Sequence, residues 1–77
     1  MKLKKGLYVH YKGLLVEVYE IVRHSETLEE MVYYKELSFN KNYGKNTLWV
    51  RPLKMFKEKV EVEGKKIPRF KFFGSKP

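Results

Sequence analysis

Thr47-Leu48-Trp49-Val50-Arg51-Pro52-Leu53-Lys54-Met55-Phe56 is the stretch on which the architecture turns. Thr47 to Val50 alternates side chains across a pleated ribbon, and β-branched and aromatic residues favour that state. Pro52 has no N–H to donate to a ladder and holds Arg51 extended, so the strand stops there. Leu53 and Phe56 lie three apart, the spacing of one short helical turn able to plug the end of a barrel. Trp49 is the single tryptophan of the chain, and it stands two residues from Arg51 at this switch from strand to turn.

Working backwards, Gly6 to Tyr11 alternates as a short strand closed by Lys12-Gly13, and Leu14 to Arg23 is a longer one. Its apolar alternation slips after Val18, where Tyr19-Glu20 precede Ile21-Val22, which predicts a β-bulge. His24 to Glu30 breaks the pattern, and Thr27 with Glu30 fits a capping box for one helical turn. Met31 to about Phe39 is the third strand, and Asn40 to Asn46 (NKNYGKN) is an exposed loop.

Working forwards, Lys57 to Glu63 is a half-buried strand, and Glu63-Gly64 signals a hairpin. Ile67 to Phe70 returns beside it, with Pro68 confining it to an edge. Gly74 to Pro77 is a loose end.

Five to six short strands with almost no helix predict an all-β fold: a small SH3-like antiparallel barrel with a short 3-10 turn before the final strand. The 77 residues make a single domain, its core spanning about residues 6–70. The expected core is Leu7, Val9, Val16, Val18, Ile21, Val32, Leu48, Val50, Leu53, Phe56 and Val60.

The residues also carry a resemblance. Tyr8-Val9-His10-Tyr11-Lys12-Gly13, the run His24 to Tyr34, Trp49 to Phe56, and Val60 to Phe70 resemble the motifs of a family of small bacterial proteins catalogued as a domain of unknown function. The resemblance implies an SH3-like barrel and brings no activity with it. The basic loop NKNYGKN is longer than the short acidic or neutral connection expected in that family.

Seventeen Lys and Arg against nine Asp and Glu leave a net charge of +8. On so small a body this field draws anionic partners, nucleic acid or an acidic protein or peptide, and it also keeps the chain soluble. The chain has no cysteine, so disulfides and thiolate metal sites are excluded. His10 and His24 lack the spacing of a zinc site, and no metal or cofactor is expected. Neither a signal-peptide core nor a membrane-length apolar run is present, which leads us to expect a soluble cytoplasmic protein.

Two groups of residues are candidates for ligand binding. His24, Ser25, Glu26, Thr27 and Glu29 gather an imidazole, hydroxyls and carboxylates in one loop, although turn capping by Ser25 and Thr27 is the favoured reading of the same residues. Trp49, Arg51 and Arg69 form the second group. An outward Trp49 beside Arg51 would stack on a base or a peptide, whereas an inward Trp49 would be a lid on the core. Arg51, or failing it Arg69, is expected to grip a carboxylate of the His24–Glu30 loop and join both groups into one surface.

No catalytic residues are expected, since neither a phosphate loop, nor paired acid–base carboxylates, nor a metal spacing occurs. The expected function is a small basic binding module with weak, non-specific affinity for nucleic acid. A protein or peptide interaction or assembly module is the alternative, as a monomer or weak dimer paired through the edge at Ile67–Phe70.

Overall fold

The structure is a computed structural model that describes residues 3–75. It is all-β and barrel-like, with strands β1 (Gly6–His10), β2 (Leu15–Arg23), β3 (Glu30–Glu36), β4 (Thr47–Pro52), β5 (Lys59–Val62), β6 (Lys65–Pro68) and β7 (Phe70–Gly74). One helical turn, α1 (Leu53–Phe56), interrupts them. Five strands form an antiparallel sheet in the order β4-β3-β2-β1-β7, while β5 and β6 make a separate ribbon.

The long strand β2 shifts register against β3 between Val18 and Glu20, at the place where its apolar alternation slips. An extra residue there bends the strand and raises its twist, which lets the sheet curl. In the β5–β6 hairpin, Glu63 and Gly64 both have positive φ, of 52° and 78°. Two such residues make the primed turn whose twist matches the flanking strands.

Two local expectations change. The turn after Pro52 is α-helical rather than 3-10, because the Lys57 amide donates to the Leu53 carbonyl at 3.0 Å. Seven strands replace the expected five to six, because the expected return strand Ile67–Phe70 ends at Pro68 and a separate segment begins at Phe70. It forms β7, whose Phe70, Lys71 and Phe72 pair with His10, Val9 and Tyr8. Of the expected loose end, Gly74 lies in β7, and Lys76 and Pro77 lie outside the described residues.

The core is more aromatic than expected: Tyr8, Tyr34, Phe56 and Phe70 join Val16, Val18, Val32 and Leu53. Phe56 stacks on Phe70 with centroids 4.0 Å apart and planes within 2°, and the edges of Tyr8 and Tyr34 meet Phe56. On β4 the inward face is the reverse of the expected one. Leu48 and Val50 are 54% and 55% exposed, whereas Trp49 packs against the core. On β1 likewise, Tyr8 is buried while Leu7 and Val9 are only partly covered. A large ring removes more apolar area from water than a valine, so it decides which face turns inward. Val60, on the separate ribbon, is also only half-buried.

Candidate functional site

The register of β3 and β4 builds the site. Val32 faces Arg51, Tyr34 faces Trp49, and Glu36 faces Thr47, and these six share the inner face of the sheet. Along that face run a guanidinium, an aromatic rung and a carboxylate. Arg51 and Glu36 sit four residues apart in register, about 13 Å of strand. The side chains of these two residues project from opposite ends of the rung.

A cavity of about 410 Å³ opens over this row, within the range of sites for small organic ligands. His10, Tyr34, Glu36, Trp49, Arg51 and Phe70 line it. Both edge strands of the sheet, β4 and β7, contribute to this wall, so the curl of the sheet creates the cleft.

Each polar group in the cleft is held. Glu36 is buried, and its Oε1 accepts the Trp49 indole N–H at 3.0 Å and the Asn40 side-chain amide at 3.3 Å. Arg51 Nε donates to the Tyr34 hydroxyl at 3.4 Å, and its guanidinium lies over the Phe70 ring, 5.5 Å from the centroid. His10 meets the same ring edge-on at 4.9 Å. Its Nδ1 accepts the Lys12 backbone N–H at 3.2 Å, which leaves Nε2 as the other polar atom of the ring.

Burial pushes the His10 pKa below its ordinary value, and the charges of Arg51, Arg69 and Lys12 push the same way against Glu36. Both effects favour the neutral imidazole. Of these cations Arg51 lines the cleft itself, where its charge favours an anion.

The sequence candidates divide. Trp49 and Arg51 line the cleft and share one face of β4. Arg69 precedes Phe70 and pairs with Glu58 at 2.9 Å, at the base of the β5–β6 ribbon. The expected grip of Arg51 or Arg69 on a carboxylate of the His24–Glu30 loop gives way to these other partners: Glu58 for Arg69, and Tyr34 and Phe70 for Arg51.

His24, Ser25, Glu26, Thr27 and Glu29 form the β2–β3 turn and do not line the cleft. That turn is closed from within. His24 Nδ1 accepts the amides of Glu26 and Thr27, at 3.0 and 3.3 Å, and Thr27 Oγ1 accepts that of Glu29 at 3.2 Å. The capping box of Thr27 and Glu30 makes no helix, because Leu28 takes a positive φ of 65° and the chain turns back into β3.

Glu36, Tyr34, His10 and Phe70 were missed as site residues. The signal available was the alternation Val32-Tyr34-Glu36, which places a carboxylate on the buried side of a strand. Among the described residues, no three His, Cys, Asp or Glu stand close enough to hold a metal ion. No described helix is long and apolar enough to cross a membrane.

A family model described as a protein of unknown function, DUF1653, matches residues 6–72. The chain belongs to the DUF1653 family. A crystal structure of a DUF1653 protein from Bordetella bronchiseptica superimposes with a TM-score of 0.84 at 28% identity, covering 97% of this chain and 92% of that one. No curated protein matches the sequence. What the DUF1653 chain does therefore has to be argued from the cleft.

Proposed function

We propose that this DUF1653 protein is a soluble, cytoplasmic binding module of SH3-like form that takes an exposed nucleotide of single-stranded nucleic acid into its cleft. The observation that carries this reading is the Arg51 guanidinium poised over Phe70 beside Trp49, in an aromatic cavity of nucleotide size. Aromatic rings stack on any base, and each such contact contributes about 1–3 kcal/mol. The phosphates meet a chain of net charge +8, with Arg51 in the wall of the cleft. In this reading the module works as a monomer or weak dimer and by binding rather than catalysis.

A second reading has a specific observation behind it. Leu48 and Val50 are exposed on the edge strand β4, so an acidic peptide could add along that edge and reach Arg51.

The test is titration of a labelled 12-mer single strand, the matching duplex and an acidic peptide. Binding of the single strand should weaken roughly tenfold or more between about 50 and 200 mM salt as released counterions lose their advantage. The duplex should bind less well, because its bases are stacked away. Failure of the single strand to bind at low salt overturns the proposal, and saturable peptide binding in its place supports the second reading.

A further inference from the structure

Glu36 is the feature that a general stacking site does not explain. A buried carboxylate at the wall of a cleft built for an anionic strand repels phosphate, so it has to meet a different part of the ligand. Trp49 and Asn40 both donate to Oε1, which fixes the carboxylate plane. Both bonds end on Oε1, so Oε2 is the acceptor that Glu36 brings to the cleft it lines with Tyr34 and Trp49, and Arg51 stands at the far end of the same row.

We infer that the cleft selects guanine over the other bases, with Glu36 receiving the ring's N–H edge and Arg51 facing its carbonyl. This rests on the nucleotide reading of the cleft. The chemistry singles out guanine because it alone carries two adjacent donors, N1–H and the exocyclic amine, that can converge on Oε2, the carboxylate oxygen to which neither Trp49 nor Asn40 donates. Adenine and cytosine each set one amine donor beside a bare ring nitrogen, whose lone pair opposes a carboxylate. Uracil and thymine set a single N–H between two carbonyl oxygens, both repelled by it. Guanine also offers O6 and N7 as acceptors, the pair that arginine recognises in nucleic acids generally. A purine lying across the rung therefore meets an acceptor on its donor edge and a donor on its acceptor edge.

The test compares uridine 9-mers that carry one central guanosine, adenosine, cytidine or inosine with the all-uridine strand, using the full chain at low salt. The guanosine strand should bind about tenfold more tightly than the adenosine, cytidine and all-uridine strands, in line with discrimination by a good paired contact. Inosine, which lacks only the exocyclic amine, should fall between guanosine and adenosine. In Glu36→Gln the ratio of guanosine to adenosine affinity should drop toward one, with the circular-dichroism spectrum checking that the fold is intact. Equal affinity for all five strands overturns the guanine assignment and leaves the stacking site standing. Preference for adenosine, cytidine or uridine also overturns it. No binding by any strand removes both the assignment and the nucleotide reading beneath it.

Discussion

The indole N–H of Trp49 donates to the buried Glu36 carboxylate across neighbouring strands at 3.0 Å. The bond explains why the tryptophan faces inward although its neighbours in β4 are exposed. A buried carboxylate loses its water and needs donors, and the inward face of β4 supplies one. Trp49→Phe keeps an aromatic ring but leaves Glu36 with the weaker Asn40 bond. Urea denaturation should show a loss of about 1–3 kcal/mol, the cost of stripping a donor from a buried charged acceptor.

Two valines on adjacent strands report the inversion of β4. Val32 is fully buried, and Val32→Ala should cost about 1.5–3 kcal/mol through lost burial and a residual cavity. Val50, expected from the sequence to belong to the core, is 55% exposed, and Val50→Ala should stay within about 1 kcal/mol. Equal losses in the two variants would contradict this orientation of the strand.

These valines also show what was legible in the sequence. Alternation revealed the strands, the bulge after Val18 and the turn at Glu63-Gly64, because those depend on neighbours in the chain. Alternation alone does not say which of two apolar faces turns inward. On β1 and β4 that choice went to Tyr8 and Trp49, through partners on other strands: Phe56 and Phe72 for one, Glu36 for the other.

The candidate site was half legible for the same reason. Trp49 and Arg51 stand two apart on one strand, so their shared face could be read directly. His10, Glu36 and Phe70 join them only when β1, β3 and β7 come together in the sheet. The polar run His24 to Glu29 drew attention by its chemistry, and that chemistry goes into holding its own turn.

Gly6 ties the last strand to the first. Its φ is +131°, and a Cβ there would lie 2.6 Å from the Gly74 carbonyl oxygen. Both the backbone conformation and the contact resist a side chain. Gly6→Ala should destabilise the protein by about 1–3 kcal/mol. Hydrogen exchange should rise first in β7, which pairs with β1 along this edge.

The pKa of His10 gives a pH dependence of known sign. Folding lowers it, mainly by burial, so the unfolded chain holds more protons as pH falls through the imidazole range. The contribution of His10 to stability is complete above its ordinary pKa of about 6.5 and is lost as pH falls through the lower folded value. An anion in the cleft offsets the neighbouring cations and favours the imidazolium, so a bound strand should raise the His10 pKa. By linkage, the strand should bind more tightly as pH falls through the ring's titration. An NMR titration of His10 with and without the strand checks both signs, and an unchanged or further lowered pKa on binding would contradict them.

Trp49 is the single tryptophan of the chain and lines the cleft, so its emission reports directly on occupancy. The decisive measurement follows that emission while a single strand is added, in parallel with the anisotropy of a label on the strand. The cleft account predicts saturable quenching of Trp49 with the same midpoint as the anisotropy change, and a weaker midpoint in Arg51→Met. Binding seen by anisotropy with Trp49 emission unchanged would put the strand elsewhere on the basic surface and contradict the account.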